Sequence, residues 1–577
     1  MVLVVVSVLT LGAYTFSEIM LSESEATAMF GRQAESRGFA YSGIEQVCAV
    51  LGYPESEADY NVYHNPPRYQ ASMLRPSDNA RGRGYFSIVA PVESDSTATN
   101  VRFGLIDESG RLNVNQLPLL AEELELSEIE TRDMLMFIPN MTPDAADAIL
   151  DWVDDNATPR EFGAESEYYE SLQPSYYAAD GPMESIDELL QVAGVFPELL
   201  HGEDANRNGL LDPNENDGDA SLPLDNADGI LDVGWSAYLT INSKELNKRS
   251  DGEKRIFVNN GVLTELYDTL AEEFDEDVAR FVVAYRMYGQ PADSDGDESP
   301  DDGSTDGATD GGDSTPSSGS SSTGSSGSGG DGAASRDSDS PPSTGSILDA
   351  AAAIGSALGS APEGSVTRGG LDLSGGAKVE IKSLYQLIGV VVEIPAQEGD
   401  VEAGTESTPG ELVESPWAND LGAMQSYLPL LFDVLTAFED DTIRGRINVN
   451  QARFEVLLGI PGMTEEMASA IAASSMIGSD GGVSDDQLSI RSTTGWLVTQ
   501  GIIDLPTMVD LDRFLTAKGS VYRAQVVGYF EQGGGYTRLE AVLDATQSPV
   551  KILRVSDLTE LGRGYRQDML TGTVAEY

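Results

Sequence analysis

The N-terminal segment constrains the fold of this chain most, because it is one apolar to amphipathic stretch with no proline before Pro54. Residues 2–16, VLVVVSVLTLGAYTF, are uncharged, and the first acidic residue is Glu18. As a helix this run spans about 22 Å, short of the ~20 residues that cross a bilayer. Apolar residues then recur mostly at helical spacing as far as Leu51, which predicts one long helix that ends near Gly52.

Two interpretations of the apolar run stay open. A cleaved signal peptide is one, although no basic region precedes the run and no small-x-small cleavage site follows it. A membrane segment that lacks about one helical turn is the other, and it is the one we expect.

The excess of acidic residues limits the classes of partner that this chain can bind. The chain has 577 residues, with 34 basic against 96 acidic side chains and a net charge of −62. Its length predicts roughly three or four domains. Its charge repels nucleic acid and anionic lipid and favours divalent cations.

Because Cys48 is the one cysteine and His64 and His201 are the two histidines, there is little material for a disulfide, a zinc site or a histidine-based catalytic triad. We expect no enzyme: a secreted hydrolase would need an acid and base pair that the sequence does not single out.

A stretch of seven residues occurs twice, as GRLNVNQ at 110–116 and GRINVNQ at 445–451. After the second copy come a helical pattern, a Pro-Gly turn and a second helix with Thr464 as its cap. The first copy precedes a similar pattern with Thr142 as the cap and proline at the first helical position. A weaker third copy, KRIFVNN, begins at Lys254. The pattern predicts a module of a short strand and paired helices, of the helix-hairpin-helix type.

Helix-hairpin-helix modules often bind DNA through glycine amides and basic residues that grip a phosphate. Here the hairpins read PGMTEE and PNMTPD, which lack the second glycine and present acidic residues where basic ones are needed. We therefore interpret the modules as packing units and the NVN triplet as a turn-and-cap device. A membrane-anchored DNA receptor of the competence type is the alternative function, and it would need a basic face.

The sequence pattern also predicts the domain organisation. Alternating segments predict strands at 85–92, 101–106, 237–242 and 521–530. Segment 291–346 is rich in Asp, Gly, Ser and Pro, which predicts a disordered acidic linker. The expected divisions are a membrane/pilin helix at 1–52, the first part of a sheet at 53–106, a helical insertion at 107–250, a further helical module at 251–290, the linker at 291–346, a second helical region at 347–515 with its helix hairpin at 445–475, and C-terminal strands at 516–577. We expect strands from roughly 85–106 and 521–555 to pack together on the N-terminal helix.

The stretch DANRNGLLDPNE at 204–215 fills every ligand position of the calcium-loop pattern, with Gly209 at the sharp turn. The predicted ligands are Asp204, Asn206, Asn208, the Leu210 carbonyl, Asp212 and Glu215. This set supplies the oxygen shell that Ca²⁺ prefers without histidine or cysteine. An acidic solvated turn is the alternative interpretation.

A second, weaker calcium pattern follows in DNADGILD at 225–232. It is degenerate, because Leu224 stands at position 1 and Trp235 at position 12. The candidate ligands are Asn226 with Asp217, Asp219, Asp225, Asp228 and Asp232. A carboxylate-rich loop repels itself without a cation, so we expect Ca²⁺ to stabilise this insertion.

The combination of these features resembles one known family, the GspK minor pseudopilins of the bacterial type II secretion system. The similarity is carried by ESRGFAYSGIEQV, LIDESGRLNVN, AILDWVDDN, ESEYYESL, PMESIDELLQVAGV, DGILDVGWSAYLTIN and VYRAQVVGYF with ILRV. It covers the chain apart from the linker and some insertions.

The resemblance implies an α+β, type IV pilin-like fold: a long N-terminal helix on a small antiparallel sheet, with large helical insertions containing the helix-hairpin-helix-like modules. It implies a non-catalytic subunit of the inner membrane whose bulk lies in the periplasm, at the tip of the pseudopilus, where it helps initiate assembly and protein export. The implied partners are I- and J-type minor pseudopilins and other secretion-system components, with no nucleic acid. The family also points to calcium in this part of the insertion.

The start of the helix fits this resemblance. Most pseudopilins carry a glutamate near the start of the mature helix, but the K type generally lacks it, and so do residues 2–9. A helix start without a carboxylate cannot pair with the N-terminal amine of a subunit above it, which suits the end of a filament. The family begins with a basic leader cleaved by prepilin peptidase, so we expect the true start to lie upstream of this sequence.

Overall fold

The computed structural model describes residues 1–54, 61–93, 98–290, 366–395, 410–474 and 485–572. The predicted linker, 291–346, lies outside the described residues. The chain divides into two compact units, one of residues 1–290 and 375–577 and the other of residues 291–374. In the second unit, the described residues form one antiparallel strand pair, Thr367–Arg368 with Leu371–Asp372.

The described helices are α1 (Val2–Leu51), Pro66–Tyr69, Leu117–Glu123, Glu128–Met136, Pro143–Val153, Ser166–Glu170, Pro197–His201, Leu263–Glu273, Glu276–Tyr288, Leu421–Val434, Phe454–Leu458, Glu465–Ala473, Asp485–Ile490, Gly495–Thr499, Leu505–Leu511 and Gln567–Thr571. The described strands are β1 (Ser72–Arg75), β2 (Gly84–Pro91), β3 (Val101–Arg102), β4 (Ile106–Asp107), β5 (Leu112–Asn113), β6 (Leu239–Thr240), β7 (Lys244–Leu246), β8 (Ile256–Phe257), β9 (Thr367–Arg368), β10 (Leu371–Asp372), β11 (Val391–Ile394), β12 (Glu411–Glu414), β13 (Leu435–Thr436), β14 (Thr442–Arg444), β15 (Ile447–Asn448), β16 (Leu515–Thr516), β17 (Val521–Phe530), β18 (Tyr536–Asp544) and β19 (Lys551–Asp557).

One antiparallel sheet has the strand order β1-β2-β17-β18-β19, with β3 paired to β2 and β4 paired to β17. At its centre, Val526 of β17 lies between Ile88 of β2 and Leu539 of β18. Strand β17 is buried along almost its whole length, because both faces of the sheet are covered. The expectation that strands from 85–106 and 521–555 form one sheet is confirmed.

Helix α1 packs on this sheet through its C-terminal part, where Ala40, Ile44 and Val47 are buried at helical spacing. Two glycines allow the close approach of the helix to the sheet. A Cβ atom at Gly43 would lie 2.5 Å from Val526 Cγ1, and one at Gly528 would lie 2.6 Å from the Ala40 amide nitrogen and closer still to the Ser36 carbonyl oxygen. This long helix on an antiparallel sheet, with many helices elsewhere, is compatible with the expected pilin-like α+β fold.

The N-terminal part of α1 does not pack on the sheet. Residues 1–31 are all exposed, including the apolar run that ends at Phe16. An 18-residue window of the helix has a mean hydropathy of 1.8, and none of it is buried. Among the described residues, α1 is the helix whose length and composition are sufficient to cross a membrane.

The sequence repeats correspond to a repeated structure. Each copy begins with a strand of two residues that pairs in parallel with a distant strand: β5 with β6, β8 with β13, and β15 with β16. The distant strand has the sequence Leu-Thr in all three cases, at 239–240, 435–436 and 515–516. A pair of contacting helices follows each first strand, and in the first copy the helix Leu117–Glu123 precedes the pair. Their assignment as helix-hairpin-helix modules stays a prediction.

The asparagines of the repeats explain why the sequence recurs. Asn113 and Asn448 each accept a hydrogen bond from the amide two residues later, at 3.1 and 2.9 Å, so the turn-and-cap interpretation is confirmed. The next asparagine of each repeat makes hydrogen bonds to backbone groups of other segments. Asn115 donates from Nδ2 to the Met183 and Ile241 carbonyls and accepts from the Met183 amide.

The third copy repeats this arrangement atom for atom, and the second copy keeps most of it. Asn259 donates to the Ile381 and Ala437 carbonyls and accepts from the Ile381 amide. Asn450 donates to the Arg491 and Ala517 carbonyls, but its Oδ1 is buried without a partner. We name these three residues, Asn115, Asn259 and Asn450, the asparagine clamps. They tie together segments that the chain separates by scores of residues.

Several local expectations need correction. The predicted strand 237–242 is reduced to the two residues of β6, because residues 235–237 form a turn of 3-10 helix. The predicted strand 101–106 is broken into β3 and the start of β4. The region 380–515 is less helical than expected, since it contains the short strands β11 to β15. These strands are too short to produce an alternating pattern in the sequence.

Candidate functional site

The acidic loop 204–215 follows the helix Pro197–His201 and ends in the turn Pro213–Glu215. Gly209 has φ +70°, a left-handed conformation that favours glycine, as the sharp turn of the calcium-loop pattern requires. Arg207 also has a positive φ, +59°. The loop therefore has the compact, turned backbone that the sequence predicts.

The carboxylates of this loop are bonded to its backbone. Asp204 accepts hydrogen bonds from the amides of Asn208 at 2.9 Å and Gly209 at 2.8 Å. Glu215 accepts from the amides of Ala205 at 3.1 Å and Asp212 at 3.0 Å. The first and last ligand positions of the pattern thus lie on the inside of the loop.

The amide side chains between them converge on the third carboxylate. Asn206 and Asn208 both donate from Nδ2 to the same oxygen of Asp212, at 2.6 and 2.9 Å. The carbonyl oxygen of the Asn206 side chain is buried and has no hydrogen-bond partner. The fourth predicted position, Leu210, buries its side chain in the core next to the sheet.

The electrostatics of the loop are unfavourable without a cation. Burial, and then the carboxylates of Asp204 and Asp212, raise the pKa of Glu215 to about 7. Burial also raises the pKa of Asp204. Carboxylate and amide oxygens are the ligands that Ca²⁺ prefers, and the side-chain oxygen of Asn206 has no hydrogen-bond partner. The residue types therefore suit the predicted ion, but among the described residues no group of three or more acidic, His or Cys side chains is arranged to hold a metal.

The second cluster is arranged in a similar way. Asn226 donates to Asp232 at 3.4 Å, as Asn206 does to Asp212 in the first loop. Asp228 accepts from the Ile230 amide. Asp225 accepts from the amides of Asp217, Gly218 and Ala227, while Asp217 also accepts from Ser221. Asp219 is exposed.

Glu203 is a candidate ligand that the sequence pattern does not identify. It is buried, and it accepts from the amides of Asn226 at 3.3 Å and Asp232 at 3.1 Å. It therefore bonds to the second loop as Glu215 bonds to the first. Trp235, at the expected position 12, is buried and donates its indole N–H to the Pro139 carbonyl. The sequence pattern does not identify Glu203 because this residue lies more than twenty positions before the second loop. The bridge between Gly202 and Val233 brings Glu203 next to that loop.

The first loop is bonded to the face of the sheet opposite α1. Arg538 of β18 donates to the carbonyls of Asn206 and Arg207 at 2.7 and 2.6 Å, and Gln525 of β17 donates to the Arg207 carbonyl at 3.0 Å. The Tyr565 hydroxyl donates to the Asn208 carbonyl at 3.1 Å. The loop is therefore bonded directly to two central strands, β17 and β18.

An antiparallel sheet on a long helix with an exposed apolar N-terminal part is compatible with a pilin-like α+β subunit. A family model described as "Type II secretion system (T2SS), protein K" matches residues 110–202, from the first repeat to the end of the helix before the acidic loop. This match confirms the resemblance to the protein K family that the sequence motifs indicate.

A chain of the GspK-GspI-GspJ complex from the enterotoxigenic Escherichia coli type 2 secretion system matches with 8% sequence identity, covering 93% of this chain and 98% of that chain, at a TM-score of 0.28. At this TM-score the match carries no structural argument. No curated protein matches the chain.

Proposed function

We propose that the chain is a non-enzymatic minor pseudopilin at the tip of a periplasmic pseudopilus. The observation that carries this proposal is the division of α1 into an exposed apolar part, before residue 32, and a part from Ser36 that packs on the sheet. A subunit built in this way leaves its apolar part free for the inner membrane or for the core of a filament. The protein K family match supports the same system.

The proposed tip position is what the resemblance to the GspK family implies, and the uncharged run of α1 supports it. Residues 2–17 contain no carboxylate, and the first acidic side chain is Glu18. A subunit above would bring its N-terminal amine into this apolar layer without a charge to pair with, at a cost of several kcal/mol. The chain therefore serves to start a filament, with subunits below it. By the example of the solved GspK-GspI-GspJ complex, its partners are I- and J-type pseudopilins.

The test is a pull-down from the membrane fraction of cells that contain the whole secretion system. We expect the full chain to co-purify with I- and J-type pseudopilins. A variant with Leu3→Arg and Leu9→Arg should leave the membrane fraction, whereas Leu3→Ile with Leu9→Ile is the matched control and should behave like wild type. Recovery of neither pseudopilin, or binding of duplex DNA at moderate salt, would contradict the proposal and favour the competence-type receptor.

We also propose that Ca²⁺ binds to the loop 204–215 and stabilises the insertion. The support is the chemistry of one short loop: burial, and then Asp204 and Asp212, raise the pKa of the Glu215 carboxyl, and the Oδ1 of Asn206 has no partner. The ion would hold the side chains that now bond to one another, and the loop would in turn fix the Arg538 and Tyr565 contacts to the sheet. Its role is structural, with Glu203 and Asp232 as the start of a second site.

Isothermal calorimetry with Ca²⁺ tests this second proposal. Asp204→Asn with Glu215→Gln should remove at least one bound ion and the calcium-dependent rise in Tm. The matched control is Asp510→Asn with Glu272→Gln, which removes the same charges at exposed positions outside the loop. An unchanged number of bound ions in the loop variant would refute the assignment.

A further inference from the structure

The sequence contains two Asn-Gly pairs, Asn208-Gly209 in the first acidic loop and Asn260-Gly261 in the KRIFVNN copy of the repeat. An asparagine before glycine can lose its side-chain amide, because the nitrogen of a residue without a Cβ meets little hindrance when it attacks the asparagine Cγ. The reaction needs an unbonded amide N–H at the glycine and an asparagine side chain that can turn toward it. The two pairs differ in both respects.

The Asn208-Gly209 pair is held at the groups that the reaction uses. The Gly209 amide donates to the Asp204 carboxylate at 2.8 Å. The Asn208 side chain accepts from the Leu210 amide at 2.6 Å and donates to Asp212 at 2.9 Å. Asn208 is also buried. The loop must therefore open before the Gly209 nitrogen can attack.

The Asn260-Gly261 pair is free where the other pair is held. Gly261 is exposed, and its amide makes no hydrogen bond to the described residues. Asn260 is partly buried, and its Oδ1 accepts from the Val262 amide at 2.9 Å, whereas its Nδ2 has no partner in the same part of the chain. This hydrogen bond turns the side chain toward the backbone that follows it and polarises Cγ for attack. The amino group is left free to depart.

The local structure does not require glycine at position 261. Gly261 does not have a positive φ, and a Cβ atom there would have no neighbour within 4 Å. Gly209 differs, because its φ is +70° and a Cβ atom would lie 2.8 Å from the Pro91 side chain. Alanine at position 261 therefore fits the fold, and its side chain hinders the attack on Asn260.

We propose that Asn260 is a site of spontaneous deamidation in the folded chain. The Gly261 nitrogen forms a bond to Asn260 Cγ and gives up its proton, the Cγ–Nδ2 bond breaks, and ammonia leaves a succinimide ring. Water then opens the ring at either carbonyl, which gives aspartate or isoaspartate at this position. The reaction needs only water, and either product adds one negative charge.

The two products should affect the repeat differently. Aspartate can still accept from the Val262 amide, and its charge lies near the N-terminus of the helix Leu263–Glu273, where the helix dipole favours it. Isoaspartate lengthens the main chain by one methylene close to Asn259. This asparagine clamp bonds to the Ile381 backbone, and its carbonyl accepts from Arg286 at 3.0 Å. Conversion to isoaspartate should therefore loosen the clamp.

The experiment incubates the full chain in detergent in mildly alkaline buffer and follows both asparagines by peptide mass spectrometry, with digestion in acid to stop the reaction. Asn260 should gain the mass of an amide-to-carboxyl conversion. Asn208 should react roughly tenfold or more slowly, because hydrogen bonds to charged groups must open first. This comparison is made within wild type and needs no variant. Equal rates at the two positions would overturn the proposal.

A variant and its matched control test the role of the glycine. Gly261→Ala should remove most of the conversion at Asn260. Gly38→Ala also replaces a glycine with nothing within 4 Å of the new Cβ, but it does not follow an asparagine, so Asn260 should react there as in wild type. An unchanged rate at Asn260 in Gly261→Ala would overturn the mechanism.

Thermal unfolding of the incubated protein tests the effect on the clamp. The Tm of wild type should fall as isoaspartate accumulates, whereas the Tm of incubated Gly261→Ala should stay constant. Asn260→Asp has the charge of the product without the added methylene, and it should keep the Tm of fresh wild type. A fall in Tm of the same size in Asn260→Asp would overturn the assignment of the effect to the lengthened main chain.

Discussion

The helix–sheet core and the acidic, repeat-built region lie against each other but are held in different ways. In the core, Val526, Ile44 and Phe86 pack around α1, and apolar burial supplies the stability. In the other region, the asparagine clamps and carboxylates such as Glu215 bind backbone groups of distant segments. Apolar packing tolerates changes of pH and ions, whereas buried carboxylates do not. The stability of the acidic, repeat-built region should therefore depend on pH and ions. The stability of the helix–sheet core should depend on the volume of the side chains packed in it.

The largest effect should come from filling the space between helix and sheet. Gly528→Ala places a methyl group against the backbone of Ser36 and Ala40, which cannot move without shifting α1. We expect a loss of roughly 3 kcal/mol, at the upper end for overpacking, measured by thermal unfolding of the full chain in detergent. Gly38→Ala, with nothing within 4 Å of the new Cβ, is the control and should stabilise the helix slightly. Equal Tm values for the Gly528→Ala and Gly38→Ala variants would contradict the prediction that close packing at Gly528 limits the side chain there.

The asparagine clamps should come next. Asn115→Ala and Asn259→Ala each leave a buried amide and carbonyl without partners, and we expect each to cost about 2–3 kcal/mol in chemical denaturation. Asn450→Ala should cost less, because its Oδ1 makes no hydrogen bond. Asn419→Ala, at an exposed position, is the control. A larger loss at Asn450 than at Asn115 would contradict the repeated role.

A pH effect should separate the loop from the core. The pKa of Glu215 is raised from 4.5 to about 7 when the chain folds, so the folded state binds this proton more tightly. Its contribution to stability is therefore present below about pH 4.5 and is lost as pH rises toward 7. We expect Tm without calcium to fall over that range, and saturating Ca²⁺ to remove the part of this fall that comes from Glu215.

Glu165 provides the matched control for the pH experiment. Its two carboxyl oxygens are buried without partners, and burial, then Asp151, raise its pKa to about 7 as well. Glu165→Gln should reduce the pH dependence but leave the calcium response intact, whereas Glu215→Gln should reduce the pH dependence and remove the calcium response. A calcium response that survives in Glu215→Gln would disprove the link between this carboxyl and the ion.

The smallest effect should come from the contact between the two regions. Tyr565→Phe removes the hydroxyl, whose single proton is shared between Gln525 Oε1 at 2.8 Å and the Asn208 carbonyl at 3.1 Å, while the ring stays packed. We expect a loss of about 1 kcal/mol and a smaller calcium-dependent rise in Tm. Hydrogen exchange of β17 should show whether the loop still protects the sheet. Unchanged protection on adding calcium to wild type would mean that the two regions are independent.

Local features of both regions could be predicted from the sequence. The strand at 521–530 has the bounds of β17, and α1 ends at Leu51 as its apolar spacing predicts. The caps Thr142 and Thr464 each accept the expected hydrogen bond from the amide three residues later. These features depend on residues within a few positions of one another, so a single stretch contains the whole signal.

Features that depend on distant segments could not be predicted in this way. The role of Glu203 in the second loop depends on the bridge from Gly202 to Val233, and the clamp at Asn259 depends on Ile381, beyond the linker. The three Leu-Thr pairs were visible in the sequence, but two residues are too short a pattern to stand out without the strands that they complete.

The sequence by itself determined the elements and their chemistry: an apolar helix start, a buried strand at the C-terminal end, repeated asparagines and a loop of acidic residues. The tertiary structure decided which of these meet. Arg207 and Arg453 lie far apart in the sequence and line one cavity only because the sheet gathers both ends of the chain around the insertion. Local pattern is set by backbone geometry over a few residues, whereas the meeting of distant segments depends on burial summed over the whole fold.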